Sequence, residues 1–197
     1  MMHSNLLFNN LNRYSSIYEA DFEMISNVLT KRLVKKKRTL LNEADICRNL
    51  FFIEKGVLRS FTTDKDGTEH VMQLAIEDNW IADLGSFITQ TPGFLTVEAI
   101  EDTEVLLLPY VAVDPLCEAI PKLEHYFRKL YQRAYVGMQQ RYNSVQSQPA
   151  KERYEILIRD NPQFAARIPL IHIASYLGIT AESLSRIRKQ VGNFNQL

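Results

Sequence analysis

Apolar residues follow three successive patterns along the chain. In residues 17–31 (IYEADFEMISNVLTK), Ile17, Phe22, Ile25, Val28 and Leu29 recur at three- to four-residue spacing, which predicts an amphipathic helix. From 32 to 108 the pattern changes to short runs separated by turn residues: RLVKKKRTLL, LFFIEKG, VLRSFTT, EHVMQLAI, WIADL, LTVEAI and TEVLLLP. Asp66-Gly67 between two of these runs is a hairpin signal, because glycine accepts positive φ at little cost. Gly56 marks another turn, and Asp102 and Thr103 separate the last two runs. Many short antiparallel strands at near-regular spacing predict an N-terminal β-barrel or jelly roll rather than a βαβ fold.

Past Pro109 the pattern becomes helical, with Pro115 and Pro121 punctuating the change. From Lys122 to Gln146 there is no proline. Leu123, Tyr126, Phe127, Leu130, Tyr131, Ala134, Met138 and Tyr142 recur every three or four residues, over roughly seven turns. A helix this long needs a partner along its apolar stripe. Its own barrel could supply one. The length favours the same helix of a second chain, and so a homodimer through residues 122–146. Gln148-Pro149 breaks the helix, and another follows in AKERYEILIRD, ended by Asn161-Pro162. The expected class is α+β, with an antiparallel β domain in 1–120, a dimerisation helix in 121–147 and a helical domain in 148–197.

Charge changes this picture more than composition does. The net charge is zero, yet residues 1–120 carry 11 Lys and Arg against 18 Asp and Glu, and residues 121–197 carry 12 against 5. An acidic front of −7 thus precedes a basic back of +7, and basic segments attract polyanions, DNA first among them. The run Lys35-Lys36-Lys37-Arg38 is read as a lysine-guarded sheet edge inside a strand rather than as a nucleic-acid patch. No stretch approaches the roughly 18 apolar residues that cross a bilayer, and the first residues lack a secretory pattern. Two cysteines, Cys47 and Cys117, form no pair at ligand spacing, so a reducing compartment, the cytoplasm, is expected.

The segment with the most specific pattern is 168–190, IPLIHIASYLGITAESLSRIRKQ. Counting Leu170 as the first of twenty positions, Ala174 is fifth, Gly178 ninth and Leu184 fifteenth. A small residue lets two helices approach, a glycine supplies the positive φ of a tight turn, and a leucine anchors the second helix to the first. Ile173, Leu177, Ile179 and Ile187 complete a small core, and Thr180 is a good N-cap. This is the pattern of a helix-turn-helix, whose second helix enters the major groove of DNA. The expected DNA-binding residues are Thr180, Ala181, Glu182, Ser185, Arg186, Arg188 and Lys189. Arginine can pair with guanine and glutamate can accept from cytosine, while Arg188 and Lys189 suit phosphates by type.

LFFIEKGVLRSFTTDKDGTEH, WIADLGSF, the VEAIEDTEVLLL strand pair and ITAESLSRIRK together resemble the Crp/Fnr regulators over nearly the whole chain. The resemblance implies a cyclic-nucleotide-binding-type barrel joined to a winged helix-turn-helix. It further implies a homodimer on a near-palindromic operator, with RNA polymerase as a further partner. Glu182 and Arg186 match family positions that commonly touch bases, and Ala181 stands where nucleotide-responsive members often carry arginine. The ligand site departs from the family. Cyclic-AMP-binding members have a Gly-Glu pair and, about ten residues later, an Arg-Ser/Thr pair. Here Ala82-Asp83 replaces the first and Gly93-Phe94 aligns with the second. No arginine occurs between Arg59 and Arg128. A phosphate buried without a cationic partner would be poorly stabilised, so cyclic AMP is not the expected effector.

Trp80, Asp83, Phe87 and Phe94 are the expected lining of a pocket for an unidentified small effector. Only VGNFNQL follows the recognition helix, so a truncated or absent wing is expected. No cofactor and no metal are expected. An enzyme on a cupin-like barrel would need a histidine and carboxylate cluster on the strands, where only His70 lies, and no Gly-rich loop or GxSxG is present. The expected function is sequence-specific transcription regulation. The alternative is a ligand-sensing dimer that binds a protein partner rather than DNA.

Overall fold

A computed structural model describes residues 5–194, with side chains through 190. Its contacts divide the chain into two compact units that do not follow chain order. One comprises the residues up to Ser60 together with Gln73–Tyr135. The other comprises Phe61–Met72 together with the residues from Val136 onward.

The first unit begins with α1 (Asn5–Asn12) and α2 (Glu19–Val28), whose Phe8 and Phe22 rings meet edge to face at 5.1 Å. Strands β1 (Thr30–Val34), β2 (Thr39–Leu41), β3 (Asn49–Lys55), β4 (Leu58–Thr63), β5 (Glu69–Ala75) and β6 (Trp80–Ile81) follow. After α3 (Leu84–Thr89) come β7 (Thr96–Ala99) and β8 (Thr103–Pro109). They form two four-stranded sheets in the orders β1-β8-β3-β6 and β2-β7-β4-β5, the sandwich form of a jelly roll. In the first sheet β8 pairs antiparallel with both β1 and β3, with Leu106 opposite Lys31 and Phe52. The core comes from the apolar runs of the sequence: Leu50, Phe51, Phe52 and Ile53 on β3, and Val105 to Leu108 on β8, are all buried.

Three local expectations are corrected. The 35–38 basic run is not inside a strand. It is the turn between β1 and β2, which belong to different sheets, and Lys37 takes a left-handed φ of 64° there. Only Trp80 and Ile81 of WIADL are strand, because Asp83 accepts the Ser86 amide and starts α3. Pro115 does not interrupt α4 (Tyr110–Ala119), which runs through it.

Helix α5 (Lys122–Ser147) spans 26 residues, roughly 39 Å, and passes from the first unit into the second. Leu123, Tyr126 and Phe127 are buried in the core of the first unit. There Trp80 Nε1 donates to the Tyr126 hydroxyl at 2.7 Å, and that hydroxyl donates to Asn10 Oδ1. The second unit continues with α6 (Ala150–Asp160), α7 (Phe164–Arg167), α8 (Leu170–Tyr176) and α9 (Ala181–Phe194). Its own buried apolar residues are Phe61, Val71, Tyr154, Phe164, Ile168, Ile173, Ala174, Leu177 and Leu184. No described helix is long and apolar enough to cross a membrane.

Candidate nucleic-acid interface

The connection between α8 and α9 is fixed by its backbone. Gly178 has φ of 68°. Its amide donates to Ser175 O at 3.0 Å, and the Ile179 amide donates to Ala174 O at 3.0 Å. This pair of bonds is a Schellman closure, which satisfies the last carbonyls of α8 and requires the left-handed residue. Helices α8 and α9 pack on each other, and Ala174 and Leu184, one on each, are 1% and 0% exposed. Thr180 Oγ1 accepts from the Ser183 amide at 3.2 Å and so caps α9 as the sequence implies.

With the inner face of α9 committed to Leu184, helical periodicity puts Glu182, Arg186 and Lys189 on the opposite face, roughly 140–160° round the axis, with Ser185 at its edge. Arg188, one turn after Leu184, falls on the Leu184 side of the helix, where its side chain is nevertheless exposed. Glu182, Arg186, Arg188 and Lys189 are exposed, while Ala181 and Ser185 are half-buried. The Glu182 carboxyl is held below its ordinary range, first by its own backbone amide, then by the Thr180 hydroxyl, with Arg186 adding an attractive charge. It therefore stays an ionised acceptor, while Arg186 offers the donors. Of the VGNFNQL segment, residues 191–194 continue α9, and residues 195–197 lie outside those described, so the expectation about a wing lies largely there.

Two residues that position this face were not singled out from the sequence. Arg153 on α6 donates to Leu177 O and Gln148 O, both at 2.8 Å, tying the end of α8 to the break after α5. Ser175 on α8 accepts from the Val71 amide at 2.9 Å and donates to Glu69 O at 3.0 Å. Both bonds depend on backbone groups brought close by the fold, and no sequence pattern marks them.

The four expected pocket residues differ in setting. Asp83 and Phe87 are 1% and 2% exposed, and the Phe87 ring packs edge to face on Tyr110 at 5.4 Å. Trp80 is half-buried with its ring 5.2 Å from that of Phe52, while Phe94 is 61% exposed.

Residues 31–119 match the family profile described as the cyclic nucleotide-binding domain. Over 184 residues the chain is 25% identical to the transcriptional activator protein FnrA of Stutzerimonas stutzeri, covering 87% of this chain and 75% of that one. Its fold is similar to FixK2 from Bradyrhizobium japonicum, with a TM-score of 0.76 at 17% identity over 85% of this chain and 86% of that one. It is also similar to the catabolite activator protein of Thermus thermophilus, with a TM-score of 0.60 at 19% identity over 94% and 88%. A nucleotide-binding-type sandwich, a long helix and a helix-turn-helix in that order, with relatives of this kind along nearly the whole length, make the chain similar to the Crp/Fnr regulators.

Proposed function

We propose that the protein is a homodimeric, sequence-specific DNA-binding transcription regulator of the cytoplasm that does not answer to cyclic AMP. The observation that carries this reading is the exposed Glu182–Arg186–Lys189 face on a helix locked to its neighbour through Ala174, Gly178 and Leu184. Such a face reads base edges with Glu182 and Arg186, and takes phosphates with Arg188 and Lys189.

Dimerisation supplies the second half-site. Beyond Tyr131, helix α5 leaves Tyr135, Met138, Tyr142 and Val145 largely exposed. Their 3-4-3 spacing is that of the a and d positions of a coiled coil. Two copies paired there would present two recognition helices to a near-palindromic operator. RNA polymerase is the further partner such a regulator would act upon. The reading assigns the protein no enzymatic role.

The test is selection of bound fragments from sheared genomic DNA, with an Arg186→Ala, Arg188→Ala double variant alongside. A palindromic motif enriched by the native protein and lost by the variant supports the reading. Equal recovery by both proteins, with or without cell extract, would favour a protein partner for the same face.

A further inference from the structure

One buried ionisable side chain of the first unit serves neither the DNA face nor the helix seam. Asp83 is 1% exposed. Its Oδ1 accepts from the Ser86 amide at 3.0 Å, and its Oδ2 accepts from the Phe94 and Leu95 amides at 3.0 and 3.1 Å. These donors come from two places, the first turn of α3 and the loop before β7. The loop is held in turn. Gly93 exchanges backbone bonds with Asp45 and Ala44, each at 3.0 Å, and the Ser86 hydroxyl donates to Thr91 O at 2.6 Å while accepting from the Cys47 amide at 2.9 Å. Among the described residues no lysine, arginine or histidine forms an ion pair with Asp83.

Converging backbone amides are one way in which proteins hold a free anion such as phosphate. Here the anion belongs to the chain itself. A second anion brought to the same amides would find them taken, would face a like charge at close range and would meet no compensating cation. Space is closed as well: a Cβ on Gly93 would overlap the Asp83 carboxylate and the Ser86 side chain.

We propose that Asp83 is a built-in anion that determines ligand specificity in this barrel: it excludes anionic effectors and fixes residues 83–95 without one. This deepens the reading that cyclic AMP is not the effector, and it rests on the cyclic nucleotide-binding domain rather than on the DNA face. An effector acting here would have to be neutral or cationic, and operator binding would not depend on any cyclic nucleotide.

The test uses the full chain and no DNA, so it stands apart from the question of operator binding. Cyclic AMP is titrated by calorimetry, and melting is followed in phosphate, formate and chloride at equal ionic strength. The native protein is expected to give no binding heat up to millimolar cyclic AMP and the same Tm in all three salts. Asp83→Ala, which leaves three inward-facing amides without an acceptor, is expected to melt about 5 °C lower or more, and formate, a free carboxylate, should restore part of that loss. Gly93→Ala should also melt lower. Micromolar binding of cyclic AMP or a phosphate-specific rise in the native Tm overturns the proposal. So does an Asp83→Ala variant that melts like the native protein, or one that formate does not raise above chloride. If Asp83→Ala does not fold, Asp83→Asn decides, since it keeps the shape and removes the charge: a lower Tm supports the proposal and an unchanged Tm overturns it.

Discussion

Replacing Met138 by glutamate should convert the proposed dimer to monomer without unfolding either chain. In the single chain Tyr135, Met138 and Tyr142 are 60%, 64% and 67% exposed, and Val145 is 43% exposed. Complete burial of such a side chain is favourable by roughly 1.5–3 kcal/mol, so pairing would gain about 1–2 kcal/mol for each. Symmetry counts every residue twice, and the gross gain over eight side chains is about 8–16 kcal/mol. Association opposes this with about 4–15 kcal/mol of lost freedom, so the seam supports a dimer only if nearly all of it is used. Met138→Glu removes two contacts of about 1–2 kcal/mol. It also sets two carboxylates near each other in an apolar seam, where unpaired charge is strongly unfavourable. The combined loss of at least about 4 kcal/mol corresponds to a rise in Kd of roughly a thousandfold. Sedimentation equilibrium over a range of concentrations reads this directly. Far-ultraviolet circular dichroism should be unchanged, because the position is exposed in the protomer. A variant that sediments as a dimer with the native Kd would refute the assignment of this seam.

Other outcomes follow from single contacts. Arg186→Ala should weaken operator binding by about 1–3 kcal/mol and relax preference at one base pair, whereas Arg188→Ala should weaken all sequences alike and lower the salt slope by about one; mobility shifts on point-substituted operators separate the two. Arg59 is 3% exposed and bonded to Glu98 through Nε and Nη2, both at 3.0 Å. Glu98→Gln should therefore destabilise the sandwich by about 3 kcal/mol in urea unfolding at unchanged m-value. Burial pushes the Tyr131 hydroxyl up to about 12 and raises that of Tyr126 further still. The unfolded chain gives up these protons near pH 10 and the folded chain does not, so their contribution is intact below pH 10 and is lost as pH rises toward 12. Absorbance titration of phenolate should show these two lagging the other tyrosines, and denaturation midpoints should fall over the same interval.

Elements with a strong period or an obligatory residue were legible in the sequence. Gly178 and Leu184 specified the turn and the anchor of the helix pair, and both serve as the spacing implied. Asp66-Gly67 specified the hairpin between β4 and β5: the Gly67 amide donates to Asp64 O, and φ at Gly67 is 80°. The stripe on α5 was legible as a stripe but not as two. Leu123, Tyr126 and Phe127 turn inward and Met138 and Tyr142 do not, because periodicity reports that residues share a face and not what covers it. Asp83 shows a different limit. In the sequence it was a departure from a ligand motif and a candidate pocket wall. Its actual setting depends on amides eleven and twelve residues away, Phe94 and Leu95, whose approach is a property of the folded loop.

The make-up of the second unit gives a physical reason for a serine at position 175. Strand β5 is the last strand of its sheet, so one row of its backbone groups lacks a strand partner. Within the second unit those groups are met by side chains. The Ser175 hydroxyl bridges the Val71 amide and Glu69 O, and Arg141 donates to the carbonyls of Val71 and Met72. The Arg141 guanidinium also lies 4.3 Å from the centre of the Tyr176 ring, on the residue after Ser175. Burial pulls its pKa down, yet these carbonyls and the ring still hold it in place. The hairpin tip and helix α8 are therefore one bonded assembly.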